Sequence, residues 1–134
     1  MANLSEFIEE CTKIIELAYT EGVTIGDAEK YAAKFLHAQI LIANELKEVD
    51  LDARMRKSGV KAIRAAVYLE EVKKNEKKPS DTLLEAIVNS TKLVQDEQDA
   101  FDASEVKRNE LDNYLNVFKD AHIYMRGIAK GKYE

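Results

Sequence analysis

One proline and five glycines in 134 residues leave the chain almost without turn residues. Between residues 27 and 126 only Gly59 and Pro79 interrupt it. Sheets and loop-rich folds need frequent turns, so they are excluded, and few breaks mean few, long elements. A single cysteine, Cys11, excludes an internal disulfide. It falls on an apolar helix face and reads as a buried thiol in a reducing compartment, not as a nucleophile. No apolar run reaches the ~18 residues that span a bilayer, so no membrane partner is expected. Residues 1–20 hold Glu6, Glu9 and Glu10 and no basic stretch of the kind that opens a secretory signal. The expected location is therefore the cytoplasm. A net charge of -5 gives no bulk attraction to nucleic acid or to an anionic membrane.

Hydrophobic residues at 46% and charged residues at 34% suit a folded chain with a core. The length suits one helical domain over residues 1–134. The spacing predicts helices over about 4–19, 25–75 and 81–129. In the first, Leu4, Phe7, Ile8, Cys11, Ile14, Ile15 and Ala18 share one stripe. Asn3 or Ser5 is placed to cap it, and Gly22 to stop it. The second opens at Thr24, a candidate cap for the amide of Asp27. Along it Phe35, Gln39, Ile42, Leu46, Val49, Ala53, Arg56, Val60, Ile63 and Val67 alternate steps of four and three. That is the heptad seam of helices packed side by side over many turns. Gly59 lies off the seam, and a kink there is an open alternative to a continuous helix.

The stretch 73–79 (KKNEKKP) is a polar turn ended by Pro79. Ser80 or Asp81 then caps a third helix, with Thr82 and Glu85 as a candidate capping box. Its seam runs through Leu83, Ile87, Ser90, Val94, Glu97, Phe101, Ser104, Arg108, Leu111, Leu115, Phe118, His122, Met125 and Ala129. Gly127 and Gly131 are natural stops. A short turn makes the two long helices antiparallel, each roughly 75 Å at 1.5 Å per residue. The fold class expected is all-α: a short N-terminal helix and a long, coiled-coil-like antiparallel hairpin. Off-seam apolar residues such as Tyr31, Leu36, Ile40, Leu84, Val88 and Tyr114 widen the apolar face, so self-association into a homo-oligomer is expected.

Little in the chain carries catalysis, and no cofactor or metal is implied. His37 and His122 fall at the same open end of the hairpin, within range of carboxylates such as Glu45 or Asp120. No Glu-x-x-His spacing accompanies them, and His122 lies on the seam, so they read as packing histidines. No glycine loop precedes a Lys-Ser or Lys-Thr, so no phosphate cradle exists.

The charge layout says more. Residues 47–78 hold ten Lys or Arg against six Asp or Glu. Arg54, Lys57, Lys61 and Arg64 step by three and four, and Tyr68 follows. Such a stripe gives phosphates a track and ends in an aromatic on which a base can stack, the makings of a site for single-stranded nucleic acid. A structural alternative stands beside it. Residues 96–110 hold six acids against two bases. Folding at Lys77–Lys78 sets residue 60 opposite roughly residue 96, and on this alternative the stripe's cations serve to pair with these acids across the seam. A smaller cluster of Arg126, Lys130 and Lys132 with Tyr124 and Tyr133 reads as charge complementing a helix C-terminus.

Three stretches, ARMRKSGVKAIRAAVYLEE (53–71), LLEAIVNSTKLVQDEQDAF (83–101) and LDNYLNVFKDAHIYMRGIAKG (111–131), give the chain a layout that resembles the UvsY family of phage recombination mediators. The similarity covers roughly residues 25–131 and is one of spacing. It implies a non-enzymatic, ring-forming protein that binds single-stranded DNA, contacts a single-strand-binding protein and helps load a RecA-like recombinase. The DNA contacts it implies are Arg54, Lys57, Lys61 and Arg64. The acidic pI departs from what a DNA-binding mediator would show. Two other classes remain: an acidic adaptor or inhibitor that docks a basic protein partner (residues 1–46 carry a net of -5), and a scaffolding component.

Overall fold

The computed structural model describes residues 3–75, 77 and 79–131. It consists of four helices: α1 (Asn3–Glu21), α2 (Ile25–Lys74), α3 (Asp81–Ser90) and α4 (Lys92–Ala129). Among the described residues there is no strand. The chain groups into two compact units, Met1–Lys47 with Asn109–Glu134, and Glu48–Arg108; α2 and α4 contribute residues to each.

The helix ends follow local chemistry. Gly22, at φ 78°, turns the chain out of α1 while its amide donates to the carbonyl of Ala18. Only a glycine takes that left-handed conformation without strain. Ser5 lies inside α1 rather than at its cap. Thr24 Oγ1 accepts from the amide of Asp27 at 3.2 Å and opens α2. From there α2 runs unbroken for 50 residues, straight through Gly59. Ser80 caps α3, its Oγ accepting from the amide of Leu83 at 3.2 Å. With the cap at Ser80 the third helical position is Leu83, so the Thr82–Glu85 capping box does not form. Gly127 is no stop: it is buried within α4, and the turn out of the helix comes at Gly131, φ 75°.

The single helix expected over 81–129 is two. Thr91 is extended (φ -70°, ψ 128°), and the hydroxyls of both Ser90 and Thr91 donate to the carbonyl of Ile87, at 3.0 and 2.8 Å. Asn, Ser and Thr side chains compete with the backbone ladder in this way, and Asn89-Ser90-Thr91 places three of them in a row. The break resets the helical phase. From Val94 onward the expected seam holds, with Val94, Ser104, Leu111, Phe118 and Met125 buried. Before it, Leu83 and Ser90 are exposed and α3 instead buries Leu84 and Val88.

In the first unit, Phe35, Ala38 and Ile42 of α2 and Phe118 of α4 are buried, and Phe118 stacks on Phe35 and Tyr114 with 5.9 Å between centroids in each pair. Such ring pairs add stability beyond their buried area. The α1 helix adds the buried Cys11, an ion pair from Glu10 to Lys34, and an edge-on contact of Phe7 with His37 at 5.2 Å. In the second unit the core is lighter. Val49, Ala53, Val60 and Val67 of α2 are buried, as are Leu84, Val88 and Val94 opposite.

Candidate nucleic-acid interface

At 100° per residue, Arg54, Lys57, Lys61, Arg64 and Tyr68 fall within an arc of about 80° on α2. This arc flanks the buried seam. Arg54, Lys57 and Lys61 are exposed, while Arg64 and Tyr68 are half-buried. Arg54 pairs with Asp50 at 3.0 Å, a turn earlier, and its side chain is 77% exposed, so the pair is weak and readily exchanged. Among the described residues Lys57 and Lys61 have no ion-pair partner. Arg64 donates from Nη1 to Asn89 Oδ1 of α3 at 2.6 Å.

Tyr68 rests on the cluster of Val67, Val88 and Val94, together with Ile63. Arg64 and Tyr68 also border an open groove of about 540 Å³, whose other lining residues include Ala65, Asp81, Glu85 and Val88. The stripe thus has two parts. Upstream is a row of exposed cations, suited to phosphates. Downstream a guanidinium and a phenol ring face carboxylates, a setting for a flat group that carries hydrogen-bond donors. The sequence offered Asp81 and Glu85 only as capping residues and did not single out Asn89, because their place beside the stripe depends on the phase of α3. The Asn89-Ser90-Thr91 run was the signal for that phase.

The structural alternative for the stripe is corrected in its detail. The register is as expected: a Cβ on Gly59 would stand 3.6 Å from Glu97 Oε2. Yet among the described residues none of the four stripe cations pairs with an acid of residues 96–110. Two of the acids there pair on their own helix, Asp96 with Lys92 and Glu105 with Arg108. The bridge from α4 to α2 at Arg108–Asp50 (3.4 Å) has the opposite polarity, base on α4 and acid on α2.

The remaining candidates are packing groups. His122 donates from Nδ1 to the carbonyl of Ala32 at 2.9 Å, since a carbonyl can only accept. His37 lies against Phe7. Among the described residues no group of three His, Cys, Asp or Glu is arranged to hold a metal ion. Burial pushes the Cys11 thiol from 9.0 up to about 11; Lys34 pulls it partly back and Glu10 adds to the rise. Such a thiol is neutral and unreactive at physiological pH. Of the C-terminal cluster, Arg126 is in the last turn of α4, as the dipole favours, and Lys132 and Tyr133 lie outside the described residues. The first unit carries its own groove, about 330 Å³ between α1 and α4, with Ile15, Tyr19, Val117 and Tyr124 among its lining. Among the described residues no helix is long and apolar enough to cross a membrane.

Compared with protein-family models, curated proteins and solved structures, the chain has no significant match.

Proposed function

We propose that this chain is a non-enzymatic accessory protein of DNA recombination or replication, acting in the cytoplasm by binding single-stranded DNA along α2. The observation that carries the reading is the row Arg54, Lys57 and Lys61, exposed on one arc of an unbroken helix, with no salt bridge engaging Lys57 or Lys61 among the described residues. Phosphates track this row. Tyr68 and Arg64 offer a base a stacking surface, and Glu85 an acceptor for an exocyclic amine. The resemblance to recombination mediators points the same way and adds protein partners, a single-strand-binding protein and a recombinase, as part of the proposal.

The test is fluorescence anisotropy of a labelled single-stranded 20-mer against salt. Single strands lose affinity with a slope of about 0.7 per phosphate contact, so three cations give a slope near -2, and Lys57→Ala with Lys61→Ala removes about 1.4 of it. Wild-type protein that leaves the oligonucleotide free at 20 mM salt refutes the reading.

A second reading, a protein-binding adaptor, is favoured by the apolar groove between α1 and α4. Asp120 also lines it, and the acidic segment 1–46 supplies α1, so a basic amphipathic helix is the fitting occupant. Tyr124→Ala would then abolish capture of such a helix and leave DNA binding unchanged.

A further inference from the structure

The second heptad seam of α2 has no cover. Leu51, Met55, Ser58, Ala62, Ala65 and Leu69 follow one another in steps of four and three without a slip, and all six are exposed. They lie on the face of α2 opposite the seam that packs inside the unit. Along this part of α2 the inward side chains are Val49, Ala53, Val60 and Val67, while the outward ones include Leu51, Met55 and Leu69, each more than half exposed at 60%, 65% and 57%. A helix whose bulkier apolar residues face water at heptad spacing is built to meet a second helix. We infer that this seam pairs with the same seam of a second copy of the chain, parallel and in register.

The flanks of the seam select that partner and that direction. On one side run Arg54 and Lys61, long and cationic. On the other run Asp52, which pairs with Arg56 of its own helix, and then Gly59 and Ala66, small and uncharged. In a parallel in-register pair, each flanking residue meets the residue five positions further along the other helix. Arg54 therefore lies over Gly59 of the second copy, and Lys61 over Ala66. The carboxylate of Glu97 stands over Gly59. Glu97 is half-buried and among the described residues has no ion-pair partner. Arg54 of the second copy meets that carboxylate, and by the two-fold symmetry the contact is made twice. Run antiparallel, the same helices would set both Arg54–Lys61 rows on one side of the pair, cation against cation. Ser58, Ala62 and Ala65 in the middle let the helix axes come to the short end of the usual 8–10 Å separation, with Leu51, Met55 and Leu69 closing the two ends. Arg54 and Lys61 are drawn into the contact while Lys57 and Arg64 stay off it, so the pairing does not rest on the nucleic-acid reading and leaves only those two cations of the stripe clear on each copy.

About 19 residues of helix make a contact near the small end of specific interfaces, which places dimerisation in the micromolar range. Sedimentation equilibrium of the full chain from about 1 to 100 µM should therefore show a mass rising from 15.2 kDa toward twice that value, or a larger assembly built from such pairs. Ala62→Glu, at an exposed position, should keep the helical circular dichroism and weaken association at least tenfold. In a Cys11→Ala background, Ser58→Cys should oxidise to a disulfide-linked dimer, because position 58 faces itself only when the helices run parallel in register. A monomer at every concentration, or an assembly that Ala62→Glu leaves intact, overturns the seam. Association without the 58–58 crosslink overturns the parallel register.

Discussion

At the scale of single residues, exposure separates groups that sequence spacing had joined. Arg54, Lys57, Lys61, Arg64 and Tyr68 lie on one arc because a helix turns 100° per residue, and no structure is needed to see it. That Arg64 is held by Asn89 while Lys57 and Lys61 reach solvent was not legible, because it depends on what α3 presents. Cys11 was legible as a buried thiol from its place on the stripe of α1. Its behaviour follows from its environment. Iodoacetamide at pH 8 should leave Cys11 unlabelled in the folded protein over a time that labels it fully in urea, as mass spectrometry would show. The folded thiol also resists ionisation up to about 11, against an ordinary 9.0. The unfolded state therefore sheds its proton first. The stability this contributes is complete below pH 9 and is lost as pH rises toward 11.

At the scale of elements, the heptad pattern carried most of the fold. Every seam residue of α2, from Phe35 to Val67, is buried or half-buried, and Gly59 leaves the helix continuous because packing on both sides of it outweighs about 1 kcal/mol of propensity. The same method failed at Thr91. A periodicity argument follows apolar residues and passes over a break that conserves their rough spacing, whereas the two hydroxyls of Ser90 and Thr91 bonding back to Ile87 end the helix. The consequence is measurable by urea unfolding. Leu84→Ala should cost about 2–5 kcal/mol, as for a buried leucine, and Leu83→Ala less than about 1 kcal/mol. A continuous third helix requires the reverse order.

At the scale of the molecule, the all-helical architecture was legible from the shortage of turn residues, and the grouping into two units was not. One seam period runs through both, so periodicity marks no boundary between them. What distinguishes the units is side-chain size: stacked aromatics, Phe35, Phe118 and Tyr114, in one, and valine and alanine in the core α2 gives the other. Small side chains bury less apolar area, and local opening follows buried area. Native-state hydrogen exchange should therefore show amides 28–42 of α2 more protected than amides 56–70 of the same helix. Equal protection along α2 would remove the distinction.

The unbroken run of α2 through Gly59 also limits how this chain can change length. One residue inserted at position 59 turns everything beyond it by 100°, carrying Val60 out of the core to the exposed phase of Lys61 and Ala66 into the buried phase of Val67. An insertion of seven, matched by seven in α4, returns every side chain to its own face. Natural variants of this protein should therefore differ in length here by whole heptads, compensated on the opposite helix, and lone insertions should appear only at the turns.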